Sequence, residues 1–141
     1  MSDLDPKAWT RNLIADMRAH GGRPSSGPMA GKPLLVLTTT GAKSGESRTA
    51  IVTYHMDGNR YAIAASKSGA PTNPAWYHNL VTRPEATVEV DNQTFKVRAR
   101  ETRGADRDRL WNEHVAQFPE FGEYPKKTDR VIPMLLLEKV G

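Results

Sequence analysis

Residues 34–79 most narrow what this chain can fold into: three short strand patterns follow one another through polar turns, and a helix start closes the run. Leu34-Leu35-Val36-Leu37-Thr38-Thr39 reads as a strand buried on both faces. A polar loop over 40–47 leads into a β-branched and aromatic strand over 48–56. Asp57-Gly58-Asn59 is a hairpin turn, and 60–65 is a third strand ending in small residues, which let a ligand lie close against a sheet. After Ser66-Lys67-Ser68-Gly69, the pair Asn73-Pro74 marks a helix, with Asn73 as its cap and Pro74 at its first position.

The flanks add helices and one more hairpin. Asp5-Pro6 marks a helix N-terminus, and Trp9, Leu13 and Met17, with Ile14 beside them, form an apolar stripe as far as His20. Gly21-Gly22 ends that helix, while Arg11 and Arg18 occupy its other face. Such a stripe packs on a core; a basic amphipathic helix also admits peripheral contact with a membrane. Arg83-Pro84 stops the second helix. Ala86, Val88 and Val90, then Phe95, Val97 and Ala99, alternate with polar residues around Asp91-Asn92, a hairpin with one buried face. A third helix over 105–118 puts Leu110, Trp111, Val115 and Phe118 on one side, and 132–138 is a last strand. About six mostly antiparallel strands joined by short turns, with about three helices, describe an α+β domain over 1–141: a small barrel with helices packed on it.

Two basic loops are the candidate binding elements. Gly41-Ala42-Lys43-Ser44 falls short of a phosphate-binding P-loop, which needs glycine where Ala42 and Leu37 stand and a helix where a strand follows. Gly41 and Gly45 still allow backbone N–H groups to converge on an anion, and Arg48 can hold a phosphate with two parallel bonds. By spacing alone Lys43 and Arg48 read more readily as solvated turn residues than as ligand contacts. The second loop, 66–69, precedes a helix N-terminus, which favours anions. A net charge of +4 also admits an acidic ligand.

Other chemistries are excluded or unsupported. With no cysteine there is no disulfide, iron–sulfur cluster or thiolate zinc site. His20, His55, His78 and His114 show no metal spacing and read as structural; no carboxylate pair stands out as acid and base. An enzyme of this kind borrows its chemistry from a cofactor. The basic residues are scattered and the aromatic ones sit on apolar faces, which argues against nucleic acid. No apolar run reaches the ~18 residues of a membrane span and the first residues lack a signal-peptide pattern, so the cytoplasm is the expected compartment. Phe118, Phe121 and Tyr124 step by three through Pro119, Gly122 and Pro125, a segment suited to covering a pocket.

Four separated blocks, Leu37-Thr-Thr-Thr-Gly-Ala-Lys-Ser-Gly-Glu-Ser-Arg48, Ala64-Ala-Ser-Lys-Ser-Gly69, Asn73-Pro-Ala-Trp-Tyr-His-Asn79 and Thr128-Asp-Arg-Val-Ile-Pro133, resemble the deazaflavin-dependent nitroreductase family of actinobacteria, whose members use coenzyme F420. The resemblance implies a split β-barrel related to flavin-binding reductases and hydride transfer from C5 of reduced F420 to an electron-poor small molecule. It implies that Ala42, Lys43, Ser44 and Arg48 hold the cofactor's phosphate side and that Thr49, Ala50, Ile51, Val52 and Thr53 run along it. Ala64, Ala65, Ser66 and Lys67 match the segment beside the ring system, and Ala75, Trp76, Tyr77, His78 and Asn79 the helix start that completes the site. Arg11, Arg18, Arg23 and Lys32 are candidates, by charge, for the acidic tail. Phe118 and Phe121 stand where the best-known nitroreductases carry tyrosine, while Tyr124 is retained. Reduction of activated alkenes such as coumarin-type lactones, or of quinones, is therefore expected ahead of nitroimidazole activation. Ser66 and Tyr124 are the candidate proton donors, and Phe118, Phe121 and Tyr124 the substrate-facing group. An FMN-dependent reductase on the same barrel, or a noncatalytic F420 carrier, are the alternatives.

Overall fold

The computed structural model describes residues 6–25, 31–69 and 71–140; the Asp5 cap and the Trp9 side chain lie outside the described residues. Among the described residues seven strands form one sheet: β1 Leu34–Thr40, β2 Ser47–Thr53, β3 His55–Asp57, β4 Arg60–Ala64, β5 Glu85–Val90, β6 Gln93–Glu101 and β7 Met134–Lys139. Their order is β2-β1-β5-β6-β7-β4-β3, and every neighbouring pair is antiparallel.

The strand expected over 48–56 is two strands. β2 pairs with β1, from Leu34↔Thr53 to Thr40↔Ser47, whereas β3 pairs with β4. β2 and β3 thus occupy opposite edges of the sheet while Tyr54 alone separates them in the chain. The two edges can be one residue apart only if the twisted sheet curls round until they meet. The result is a half-open barrel whose seam runs through Tyr54. Its N–H donates to the Pro33 carbonyl at 3.2 Å, and its buried ring meets Tyr61 edge-on at 5.3 Å.

Inside the barrel Leu35, Leu37, Tyr54, Ile63, Val88, Val97, Leu135 and Leu137 form the main core. The alternate residues of β4 and β7 (Ala62, Ala64, Met134, Leu136) face outward onto helix α3, Gly104–Gln117, and the 3-10 helix Pro119–Lys126. That is why β7 reads as an unbroken apolar run: both faces are covered. Helix α1, Pro6–Ala19, lays Leu13, Ile14 and Met17 on Leu34, Val36 and Ile51, so its described apolar stripe is core packing.

Helix α2, Ala75–Thr82, starts differently from expectation. Pro74 is its cap residue, in extended conformation, and no side chain caps it; the Asn73 amide oxygen instead accepts from Arg130 at 2.6 Å. Asp91 and Asn92 both have positive φ, the geometry of a tight hairpin turn between β5 and β6.

Candidate functional site

Two recesses lie along β2, which spans ~17 Å from Arg48 to Thr53 at the usual rise per residue. Helix α2 contributes to both. The first recess, about 540 Å³, opens between loop 41–46 and α2 and is lined by Ala42, Lys43, Ser44, Arg48, Ala75, His78 and Asn79. Buried Asn79 ties the two elements together: its Nδ2 donates to Thr39 Oγ1 at 3.0 Å, and its Oδ1 accepts the Ala42 N–H at 2.9 Å. Gly41 N–H donates to the Glu46 carbonyl and Gly45 N–H to the Gly41 carbonyl. The loop's glycines therefore close the turn and do not aim their N–H groups at an anion, as spacing had suggested. Positive charge comes from exposed Lys43 and from Arg48, which is braced by Glu46 at 3.1 Å and by Ser44 Oγ at 3.4 Å.

The second recess, about 440 Å³, brings Ile51, Val52 and Thr53 together with Ala64, Ser66, Lys67 and Trp76, and closes against Phe121 and Tyr124. Arg130 shapes its wall by donating to the carbonyls of Ala65 at 3.1 Å and Ser66 at 2.6 Å as well as to Asn73. Gly69, at φ +81°, lies so close to the 3-10 helix that a Cβ there would stand 3.1 Å from Lys127 and 3.2 Å from the Tyr124 carbonyl. At the rim Lys32 donates to Glu120 at 3.3 Å.

Behind Phe121 lies a buried polar chain. His114, fully buried on α3, sits 4.7 Å from the Phe121 ring and 4.8 Å from Phe118. Its Nε2 is 3.3 Å from Thr53 Oγ1 and its Nδ1 is 2.8 Å from His55 Nδ1; His55 Nε2 lies 3.3 Å from Glu113. Burial, and then the adjoining His55, push His114 down to about 3. Burial also lowers His55, with Glu113 opposing.

Not every expected residue lines these recesses. Ala65 is wholly inside the core. Phe118 is buried behind Phe121. Tyr77 turns away to donate to Glu101 at 2.7 Å; burial, and then that carboxylate, push its phenol up to about 12. Thr49 faces a groove beside α1 with Arg11 and Arg18. Ala50 is half-buried on β2 and lines neither recess. Arg18 is held by two bonds to Glu89, at 2.8 and 2.7 Å. Sequence reasoning missed Pro74, Glu120 and the histidine pair as wall or near-wall residues. Arg130 carried a signal, since it stands in the fourth quoted block, but the Ala65, Ser66 and Asn73 oxygens to which its guanidinium donates are 57 to 65 residues away.

A half-open antiparallel barrel thus carries two neighbouring recesses along β2 and α2, one with Lys43 and Arg48 at its wall and one with Trp76, Phe121 and Tyr124 beside Lys32, Lys67 and Glu120. It defines a cofactor-binding barrel of the reductase type. The F420H(2)-dependent quinone reductase family model matches residues 9–139, and the chain belongs to that family. It is 41% identical over 112 residues to an F420H(2)-dependent quinone reductase of Mycobacterium tuberculosis, covering 76% of this chain and 74% of that one. Among solved structures, an F420-H2 dependent reductase superposes with TM-score 0.69 at 37% identity, over 75% of this chain and 94% of its own. A domain-swapped dimer superposes with TM-score 0.71 at 32% identity, over 95% and 100%. The haem storage protein HutZ of Vibrio cholerae, TM-score 0.61 at 12% identity over 91% and 88%, shares the fold. Together these place the sheet in the split-barrel class.

Proposed function

We propose that this chain is a reductase that binds reduced coenzyme F420 across the two recesses and reduces electron-poor small molecules, quinones and activated enones such as coumarin-type lactones. The observation that carries this is their shared walls: β2 and α2 contribute to both, so one elongated ligand lying along β2 would place charge at Lys43 and Arg48 and a flat ring beside Val52, Ala64, Ser66 and Trp76. The donor set fits such a cofactor, two cations for a phosphate and small or apolar groups for a ring. When bound, the cofactor supplies the hydride.

The chain's own residues bind, orient and exclude water. Lys43 and Arg48 hold the phosphate end, and Ala64 leaves room for close approach to the sheet. Phe121 and Tyr124 cover the open side, where a substrate would lie; Phe118 supports Phe121 from behind. Ser66 and Tyr124 offer hydroxyl donors at the wall. The described apolar residues of α1 are occupied by the barrel, so membrane contact through that helix is not part of this reading.

Fluorescence titration with F420 and with FMN, followed by consumption of reduced F420 over a panel of quinones, enones and nitroaromatics, tests it. Lys43→Ala combined with Arg48→Ala is expected to weaken F420 binding by ~10- to 100-fold, the loss of two partly screened charge-assisted bonds, with unchanged unfolding. Unchanged affinity in the double variant, or tighter binding of FMN, overturns the cofactor assignment. Tight F420 binding without turnover of any acceptor leaves a carrier.

A further inference from the structure

The buried histidine pair has no place in the reading above. His114 is wholly buried against the rings of Phe118 and Phe121, where packing alone would be served by an apolar side chain. The hydrogen bonds of the two histidines form one file through three elements: Glu113 on α3, His55 on β3, His114 on α3, Thr53 on β2. One end is at solvent, where the Glu113 side chain is 45% exposed; the other lines the recess assigned to the ring and substrate.

We propose that Glu113, His55 and His114 are a proton path that serves the recess through the Thr53 hydroxyl. Thr53 is the group that touches the substrate, and the other three act through it. The proposal rests on the reductase reading, because hydride addition to a quinone or enone leaves an oxyanion that needs one proton per turnover.

The chemistry of the groups fixes the order of protons. A carboxylate accepts only, so His55 presents Nε2–H to Glu113 and its Nδ1 accepts from His114 Nδ1–H; His114 Nε2 then accepts the Thr53 hydroxyl. This is the discharged state. In the loaded state one more proton is held: His55 is imidazolium against Glu113, His114 carries its proton on Nε2, and Thr53 points its own into the recess. Discharge forms an O–H bond on the substrate oxyanion and breaks that of Thr53. Thr53 takes the His114 Nε2 proton, and His114 Nδ1 takes the His55 Nδ1 proton. His55 ends neutral with its proton on Nε2, so the file is reloaded from the recess: once product has left, a hydronium ion there gives a proton to the Thr53 oxygen, the Thr53 proton passes to His114 Nε2, the His114 Nδ1 proton passes to His55 Nδ1, and Glu113 holds the imidazolium. The groups facing His55 are Glu113, Asp57 and Arg109; His114 meets His55, Thr53 and the rings of Phe118 and Phe121. Dry surroundings keep the loaded state scarce at rest, so protons do not leak into the recess.

Two measurements test the path. Long-range ¹H–¹⁵N spectra of the ligand-free protein are expected to show the Nε2–H tautomer at His55 and Nδ1–H at His114. Glu113→Gln should shift both rings together, because one bond links them. In turnover, Thr53→Val and Glu113→Gln should each lower kcat on the order of 10²-fold, and Glu113→Gln, which lies outside the recess, should leave F420 affinity unchanged. They should also remove the solvent isotope effect and the pH dependence of kcat, and Thr53→Ser should restore them. Rings that shift independently, or Thr53→Val with wild-type kcat and isotope effect, overturn the path. If F420 does not bind at all, the reductase reading fails by titration, while the tautomer spectra still decide whether the four groups act as one chain.

Discussion

At the scale of single residues, the first recess depends on side chains that hold its other walls in place. Asn79 is the clearest: one buried amide holds the Ala42 N–H of the cationic loop and the Thr39 hydroxyl of β1. Asn79→Ala leaves the buried Thr39 hydroxyl and the part-buried Ala42 N–H without that partner. It is expected to destabilise the fold by ~1–3 kcal/mol in urea unfolding and to weaken F420 binding in the same preparation. Lost stability with intact affinity would separate the loop from the site. That Lys43 and Arg48 share one recess could be anticipated because charge beside glycine is a local pattern. The N–H groups could not: where Gly41, Ala42 and Gly45 send theirs depends on Glu46 and Asn79, and the latter is 37 residues away. His55 and His114, 59 residues apart, form a pair only once β3 and α3 pack. Nothing in their spacing announces it.

At the scale of elements, turns were more legible than sheet order. Gly58, Asp91-Asn92 and Gly21-Gly22 mark chain reversals by residue type, and each lies where the chain turns. The break at Tyr54 carries no such mark, because 51–56 is continuously β-branched or aromatic apart from its last residues; what splits it is that Thr53 finds Leu34 while His55 finds Ala62. Gly22 shows how an element's end can also be a docking point. It accepts a φ of +95° after α1, and its N–H donates to the Met17 carbonyl at 2.7 Å. A Cβ there would stand 2.6 Å from Asp91 Cα, against backbone that cannot yield cheaply. Gly21, at φ +73°, has open space around it. Both Gly→Ala changes incur the conformational penalty of ~1 kcal/mol, and Gly22→Ala is expected to cost more because it also pushes α1 off the β5–β6 turn. Thermal unfolding of the two variants checks the ranking; equal losses would mean that the close approach to Asp91 carries no energy.

At the scale of the whole molecule, the histidine file joins α3 to both edges of the curled sheet, since Thr53 ends β2 and His55 starts β3. Protonation of that file therefore acts on the closure of the barrel. Both imidazoles titrate below the ordinary 6.5, His114 down to about 3, with burial the largest cause in each. Below pH 6.5 the unfolded chain binds protons that the folded chain refuses, so stability falls as pH drops, and the loss continues until the folded values are reached. Asp57 and Glu89, lowered by Arg109 and Arg18 respectively, add their own loss only below their ordinary 3.8 and 4.5. The interval between 6.5 and 4.5 thus isolates the histidines from these ion-paired carboxylates. Urea midpoints of the wild type are expected to fall across it. Those of a His55→Phe, His114→Leu double variant should stay level, since an apolar pair of similar volume has no proton to refuse. Near-ultraviolet signals from Trp111, packed between α3 and the outer face of β4 and β7, should be lost together with the midpoint if acid lifts that helix from the barrel. Parallel pH profiles in the two proteins would place the acid sensitivity elsewhere and detach α3 from the closure of the sheet.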